Sequence, residues 1–448
     1  MANINVDFTK TIGTIKPLHG IGQPPFSGTS FALFKYLTDA GIPHSRLHDV
    51  GGAYGGFRWV DVPNLFRDFD ADENDPESYD FTFTDMLITA LVEAKVEPYF
   101  RLGVTIENDS KIKSYRITPP ADYAKWARIC EHIIRHYTEG WADGFEYKIT
   151  YWEIWNEPDS KPNPDESMMW KGEPESYYKF YDVAAKHLKS CFPHLKIGGY
   201  AACGFYGIYE EKLAQAENHD RFVHYVKFFD GFLDHIKKSG APLDFFSWHC
   251  YDSNIKRITG YARYVREKLD EAGYTETESS CNEWSCDSGL RGTFAHAAKN
   301  LATILAFQNE RVDNAQIYDA RLGLGRYAAV FNPDGRPFPT YYALVAFNRL
   351  YELKNQAELT IDDDRIYAVA ASDGSRGCLV IANPEAEAIP IDIKTNGKAV
   401  IALITSDGKR ISGSGLTSYE PRCDGAIPMP SEIPAESIIT IIYNIGDN

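Results

Sequence analysis

The sequence has no run of about 20 apolar residues, which excludes a conventional membrane-spanning helix. It is also poor in positive charge, because 46 Lys and Arg stand against 63 Asp and Glu, a formal net charge of −17. An acidic chain of this kind is repelled by nucleic acid and by anionic membrane surfaces. We therefore expect neither a nucleic acid nor a membrane as a partner.

Closely spaced cysteine pairs are missing as well. The eight cysteines show no C-x-x-C spacing, so we expect free thiols rather than a zinc ribbon or a dense disulfide scaffold. The segment from Met1 to Asp7 has neither the basic nor the apolar part of a secretory signal. The expected compartment is the cytoplasm as the sequence stands, or the periplasm or exterior if a signal has been removed.

What the 448 residues do contain is a regular alternation of β-rich runs and helical patterns between positions 18 and 353. Such an alternation predicts repeated βα units, and eight of them favour an α/β fold of the closed (β/α)8 type, a TIM barrel. The predicted strands are 19–22, 45–48, 98–103, 149–155, 196–200, 244–249, 279–283 and 315–319. The main predicted helices are 83–94, 123–137, 174–188, 221–236, 293–307 and 341–353.

After Leu353 the pattern changes to short strands separated by turn residues. This pattern predicts a β-sandwich appended at the C-terminal side. The strand-like segment from Ile4 to Ile15 is expected to join it, because chain termini often lie close together. The predicted division is therefore a barrel over 18–353 and a β-sandwich made of 1–17 and 354–448.

Polar residues at the carboxyl ends of barrel strands face the active site in this architecture. The fourth predicted strand runs into Asn156-Glu157-Pro158, and we expect Pro158 to hold Glu157 in an extended conformation. The seventh ends in Cys281-Asn282-Glu283-Trp284. Two carboxylates on strands four and seven lie on opposite sides of one mouth, a geometry that suits glycoside hydrolysis.

With these motifs the chain resembles glycoside hydrolase family 39, which includes β-xylosidases and α-L-iduronidases. The resemblance rests on Asn156-Glu157-Pro158, Glu283, Arg46-Leu47-His48, His249-Cys250-Tyr251 and the C-terminal β-sandwich. It implies a retaining glycosidase acting by double displacement through a glycosyl-enzyme ester. Glu157 would be the general acid/base and Glu283 the nucleophile. Asn156 would hold the sugar 2-hydroxyl, and His249 or Tyr251 would hydrogen-bond Glu283.

Further candidates for the sugar pocket are rim residues on other strands. Arg46 and His48 follow the second strand, and Tyr318 stands where many barrels of this clan have a tryptophan. Trp284 is a candidate for stacking on a sugar face. Arg101 at the end of strand three suits a uronic acid, or else an ion pair with Glu107, Asp109 or Asp49.

No cofactor and no metal are expected, since the histidines at 19, 44, 48 and 249 lie on different strands without a metal-binding spacing. The expected partner is an oligo- or polysaccharide, most simply a β-xyloside, and the sequence leaves a homo-oligomer open. Alternatives are a uronidase, an arabinosidase, a transglycosylase, an endo-acting polysaccharide hydrolase and an inactive carbohydrate-binding barrel. Insertions at 53–75, 107–120 and 159–173 are predicted to wall a pocket suited to exo action.

Overall fold

The computed structural model describes residues 1–51, 59–105, 117–323, 325, 327–406, 420–422 and 429–446. Its central feature is a closed barrel of eight parallel strands, in which each strand pairs with the next along the chain and the first closes on the last. The barrel strands are β2 (Gly20–Gly22), β3 (His44–Leu47), β4 (Glu97–Leu102), β5 (Tyr151–Ile154), β6 (Lys196–Ala202), β7 (Phe245–Asp252), β8 (Glu278–Cys286) and β9 (Asn314–Ile317). All eight predicted strands are confirmed.

Helices follow the barrel strands and pack around them. They are α1 (Phe34–Asp39), α2 (Val62–Leu65), α3 (Thr82–Glu93), α4 (Tyr123–Thr138), α5 (Pro174–Cys191), α6 (Glu210–Leu213), α7 (His219–Ser239), α8 (Ile255–Ala272), α9 (Phe294–Gln308) and α10 (Pro339–Leu353). The six predicted helices are confirmed within a few residues, whereas α8, a full helix of 18 residues, was not predicted.

Local sequence explains where these helices begin and which face they bury. Helix α5 starts with Pro174, whose fixed φ suits the first helical turn. The predicted apolar stripe of α5 is buried, namely Tyr177, Tyr181, Ala184 and Leu188. Helix α4 begins after Asp122, whose side chain accepts the backbone N–H of Lys125 at 3.0 Å, a standard N-terminal cap. These two helices therefore lie against the barrel and against each other.

A second sheet carries the remaining strands. They are β1 (Ala2–Thr14), β10 (Asn355–Ile361), β11 (Tyr367–Ser372), β12 (Arg376–Asn383), β13 (Ile389–Thr395), β14 (Lys398–Thr405), β15 (Glu420–Arg422), β16 (Glu432–Ile433) and β17 (Ser437–Asn444). Their order in the sheet is β15-β14-β17-β12-β11-β10-β1-β13-β16. Strand β1 pairs antiparallel with β10 and parallel with β13, so the N-terminal strand joins the C-terminal sheet as predicted.

The second sheet buries both faces because side chains alternate along its strands. On β11, Val369 and Ala371 belong to the large core shared with the barrel, while Ala368 and Ala370 belong to a smaller core of the sheet itself. The appended β-domain thus packs onto the barrel through helices α9 and α10. The exact division at 17/18 and 353/354 stays a prediction.

Two further expectations concern the whole chain. Seven cysteines lie in the described part of the chain, and each of these is a free thiol there. Within the same ranges, every helix is too short or too polar to cross a bilayer.

Candidate active site

The candidate site lies at the carboxyl end of the barrel, where β5 and β8 approach each other across the mouth. Strand β5 ends at Ile154, and Asn156 and Glu157 follow two and three residues later. Strand β8 carries Glu283 near its own carboxyl end. One carboxylate oxygen of Glu157, one of Glu283 and a ring nitrogen of His249 all lie within 4.8 Å of one another. The two predicted carboxylates therefore lie close together, as expected for side chains at the carboxyl ends of the fourth and seventh barrel strands.

Arg46, on β3, connects the residues at the base of this site. Its Nε donates to Glu153 Oε2 at 2.8 Å, its Nη2 to Asn156 Oδ1 at 2.6 Å and its Nη1 to Glu283 Oε2 at 3.1 Å. Asn282 donates to the other oxygen of Glu153. Because Arg46 and Glu153 are almost completely buried, removal of either partner would leave an uncompensated charge in the interior. This network fixes Glu283 and Asn156 relative to each other.

Tyr251 and His249 lie beside the two carboxylates of the pair. The hydroxyl of Tyr251 donates to Glu283 Oε1 at 2.7 Å, as expected if Tyr251 rather than His249 is the predicted partner of Glu283. His249 was the other predicted alternative, but its Nδ1 lies 2.8 Å from Glu157 Oε1 instead, and its Nε2 is 3.7 Å from Glu283 Oε2. Burial lowers the pKa of His249 to about 4, so the imidazole is neutral at physiological pH.

Glu157 has a different environment from Glu283. Burial raises the pKa of Glu157, and the guanidinium groups of Arg221 and Arg46 only partly oppose this effect. Its side chain is 26% exposed, so it remains accessible from the mouth of the barrel. A carboxyl of raised pKa that solvent and ligand can still reach is suited to hold and donate a proton.

The backbone at Glu157 differs from the prediction. We expected Pro158 to keep Glu157 extended, and this was wrong, since Glu157 has a φ of 45°, in the left-handed region. Its N–H donates to Ala201 O at 3.0 Å, and its carbonyl accepts Ser160 N–H at 3.1 Å. These bonds to neighbouring segments override the local preference of a residue before proline, and they fix the chain at the point from which Glu157 enters the site.

A second group of rim residues surrounds Tyr318. Its hydroxyl donates to Asp49 Oδ2 at 2.9 Å and accepts Gln23 Nε2 at 2.7 Å. Burial and the nearby Glu283 raise the pKa of Asp49 to about 6. His48 Nε2 lies 3.2 Å from Asp49 Oδ1. The ring of Tyr318 is 6.4 Å from that of Tyr251, so this group adjoins the carboxylate pair.

Arg101 and Trp284 do not occupy the positions that the sequence suggested. Arg101 is fully buried and its Nη2 donates to Asp61 at 2.8 Å, so the expectation of an ion pair with Asp49 was wrong. The other two suggested partners, at 107 and 109, lie outside the described residues. Trp284 is also fully buried and packs its ring 5.9 Å from Phe307 of α9, so it faces the helical layer rather than a sugar.

Several residues around the site were not among the predicted catalytic or sugar-binding residues. Glu153, Asn282, Asp61 and Asp159 are buried there, and Asp49, named only as a possible partner of Arg101, has a side chain that is 14% exposed. Glu153 could have been found from its strand, since it alternates with the outward-facing Trp152 and so points into the barrel. Asp49 and Asp61 lie in loops, where no periodic signal assigns a direction to a side chain.

Asp159 lies two residues after Glu157, and the pKa of its carboxyl is markedly raised. Its carboxylate accepts the backbone N–H of Cys203, with both oxygens at 3.2 Å, and it is completely buried. Burial, followed by the charge of Glu157, raises the pKa of Asp159 to about 8. The folded protein therefore keeps this carboxyl protonated at neutral pH.

The raised pKa of Asp159 predicts that the stability of the fold depends on pH, and that Asp159→Asn removes this dependence. The pKa of Asp159 is raised above its unfolded value near 3.8, so the unfolded chain loses a proton that the folded chain retains as the pH rises towards 8. The contribution to stability is complete below pH 4 and decreases by up to about 1.4 kcal/mol per pH unit above it. Urea unfolding at pH 5 and 7.5 should show a smaller decrease in Asp159→Asn. An equal decrease in both proteins would contradict the assignment.

Comparison with known proteins places this geometry in context. The sequence profile "Glycosyl hydrolases family 39" matches residues 52–276, which include Glu157 and stop short of Glu283. A β-xylosidase of Geobacillus stearothermophilus is 26% identical over 227 residues, 47% of this chain and 40% of that enzyme. A β-xylosidase of Caldicellulosiruptor saccharolyticus is 24% identical over 356 residues, 72% of this chain and 67% of that enzyme. The chain thus spans less than half of the first relative.

Solved structures resemble the whole chain in fold. A glucosidase from Croceicoccus marinus has a TM-score of 0.76 at 20% identity and covers 100% of this chain and 99% of its own. A monomeric β-xylosidase from Caulobacter crescentus CB15 has a TM-score of 0.67 at 17% identity, with 99% and 100% covered. The similarity therefore extends over both the barrel and the β-domain. Because the profile match extends over half of the sequence, the chain belongs to family 39 of the glycosyl hydrolases.

Proposed function

We propose that the protein is a retaining glycosidase that cleaves β-xyloside-like bonds by double displacement. The observation that carries the proposal is the approach of Glu157 and Glu283, whose nearest oxygens lie within 4.8 Å. Carboxyl groups about 5–5.5 Å apart are typical of retaining enzymes, while inverting enzymes leave roughly 6.5–9.5 Å for a water molecule. The 4.8 Å limit refers to the nearest oxygens, and so close an approach is compatible with the spacing of retaining enzymes and supports direct attack by one carboxylate on the sugar.

The surroundings of the two carboxylates assign their roles. Glu283 is held by donors at both oxygens, Arg46 and Tyr251, which orient it as an attacking carboxylate. Burial raises the pKa of Glu157, which favours the protonated form that can give its proton to the leaving oxygen. In the first step Glu283 forms an ester with the anomeric carbon while Glu157 protonates the departing oxygen. In the second, Glu157 removes a proton from water, which releases the sugar.

Asn156 is the residue that we assign to the sugar 2-hydroxyl. Since a guanidinium can only donate, the atom of Asn156 that faces Arg46 must be the carbonyl oxygen Oδ1. The amide Nδ2 is then the group available to donate to the sugar. A contact with the 2-hydroxyl strengthens in the transition state and contributes to rate rather than only to affinity.

A neutral sugar fits this site better than a uronic acid. Arg101, the residue that suggested a uronate, is fully buried and paired with Asp61. Arg321 at the rim is likewise engaged by a carboxyl of the protein, because its Nε lies 2.9 Å from Asp319 Oδ2. A β-xyloside as substrate also agrees with the two sequence relatives, both of which are described as β-xylosidases.

The experiment that tests the proposal follows the anomeric signals by proton NMR. With 4-nitrophenyl β-xyloside we expect the β-anomer of xylose to form first and to mutarotate afterwards. First appearance of the α-anomer would contradict retention. Matched panels of β-glucoside, α-arabinofuranoside and α-iduronide test the sugar, and xylo-oligosaccharides distinguish release of single residues from internal cleavage. A protein that binds these sugars and hydrolyses none would be the inactive binding barrel.

A further inference from the structure

A second convergence of metal-binding side chains lies on the outside of the barrel, away from the carboxylate pair. Glu131 of α4 and His187 and Cys191 of α5 bring one oxygen, one nitrogen and one sulfur within 4.8 Å of one another. Of the residues that the structure describes, the only other group of this kind contains Glu157 and Glu283. The outer group has no role in the proposed hydrolysis.

The helices themselves place these three side chains together. His187 and Cys191 are four residues apart on α5, so they lie on the same face, one turn from each other. Glu131 reaches them from the middle of the adjacent helix α4. All three side chains are partly exposed, so an ion from solvent can reach them and a water can remain bound.

The observed separations are close to those of a zinc site. His187 Nε2 is 2.6 Å from Glu131 Oε2, and Cys191 Sγ is 3.9 Å from His187 Nε2. Tetrahedral zinc with ordinary bond lengths would set the N···O and N···S separations at about 3.3 and 3.6 Å. Shifts of well under 1 Å in flexible side chains would therefore accommodate the ion.

Neighbouring groups support Glu131 as a ligand. Arg135 Nε donates to its Oε1 at 2.9 Å, which leaves Oε2 directed at the imidazole. A hydrogen-bond donor on one oxygen of a carboxylate fixes the direction of the other oxygen, as residues just outside the ligands do at known metal sites. With Cys191 as thiolate, the two negative ligands would neutralise a divalent cation.

We propose that Glu131, His187 and Cys191 bind one Zn²⁺ ion, with water in the fourth position. Thiolate, imidazole and carboxylate together suit zinc better than the hard cations Mg²⁺ and Ca²⁺, which require oxygen ligands. Zinc binds the thiolate form of Cys191, so binding releases a proton and strengthens as the pH rises. The bound ion would link α4 to α5 and stabilise the barrel wall.

The test uses the intact protein, stripped with EDTA and titrated with zinc chloride by calorimetry. We expect one zinc per chain, an increase in the melting temperature and unchanged xyloside hydrolysis. Cys191→Ser and His187→Ala should each weaken binding at least 100-fold and abolish the thermal shift. Exposed His219, which lies 3.1 Å from Asp220, supplies the control, because His219→Ala removes a histidine–carboxylate pair of another helix and should leave zinc binding unchanged.

Cobalt(II) gives an independent measurement of the sulfur ligand. The wild-type protein loaded with cobalt should show thiolate-to-metal charge-transfer absorption in the near ultraviolet, and Cys191→Ser should not. The proposal is overturned if the stripped protein takes up no zinc, or if Cys191→Ser binds zinc as tightly as the wild type. It is also overturned if zinc uptake inhibits hydrolysis in parallel, since the ion would then lie on Glu157, His249 and Glu283.

Discussion

Glu283→Gly is expected to lower turnover of 4-nitrophenyl β-xyloside by about 10⁴-fold or more, because no glycosyl-enzyme ester can form. The missing side chain leaves space beside the anomeric carbon, while Glu157 and the Arg46 network remain. Added azide should enter this space and restore consumption of the substrate. The product should be the α-xylosyl azide, with configuration inverted relative to the β-substrate. The measurement is release of 4-nitrophenol with and without azide, and NMR of the product.

Glu278→Gly is the matched control for this experiment. Glu278 lies on the same strand, β8, but at its amino end, where it pairs with Lys196 at the end of the barrel opposite to the site. Its loss should leave kcat unchanged and azide without effect. Full activity of Glu283→Gly, or a rescued product with the β configuration, would refute the assignment of Glu283 as nucleophile.

Glu157→Ala should lower activity in a way that depends on the leaving group. With xylobiose, whose leaving oxygen needs a proton, we expect a loss of roughly 10²–10⁴-fold in kcat/KM. An activated nitrophenol leaves without a proton, so the ester with Glu283 should still form and accumulate. Azide should then attack that ester and yield the β-xylosyl azide, the opposite configuration from the Glu283→Gly product.

The pH profile gives a second readout for Glu157. Since burial raises the pKa of its carboxyl, the wild-type kcat/KM should fall on the alkaline side as Glu157 loses its proton. Glu157→Gln should remove this alkaline limb. Exposed Glu166 lies in the loop after the same strand, so Glu166→Ala should retain both the rate and the profile of the wild type. Equal losses for xylobiose and nitrophenyl xyloside would contradict an acid/base role.

The barrel and the position of its carboxylate pair were accessible from the sequence because both depend on periodicity. Eight β-rich runs predict eight strands, and the strand ends at Asn156-Glu157 and Asn282-Glu283 are sufficient to place two carboxylates at one mouth. The N-terminal strand was predicted from its strand-like pattern, and its place in the second sheet from the tendency of chain termini to lie close together. By contrast, α8 has a face in which Ile255, Ile258, Ala262, Val265 and Leu269 are buried, and this periodic signal was overlooked. Trp284 follows Glu283 directly, so strand alternation turns it towards Phe307 and away from the mouth, and this signal was also overlooked.

Other features could not be predicted because tertiary contacts decide them. Glu157 leaves the conformation that Pro158 favours because its backbone bonds with Ala201 and Ser160. The pairing of Arg101 with Asp61 connects a strand to a distant loop, for which a single sequence contains no periodic signal.

The place of β1 in the second sheet has a consequence for the order of assembly. Strand β1 precedes the barrel and its partners β10 and β13 follow it, so their pairing closes a loop that contains the entire barrel. The entropy cost of closing such a loop is large in an extended chain, but a folded barrel already brings its two ends together, as the bond from Ile15 N–H to Lys354 O at 2.7 Å shows. Barrel closure should thus precede completion of the second sheet during refolding, and until then β10 keeps an unpaired edge open to other chains.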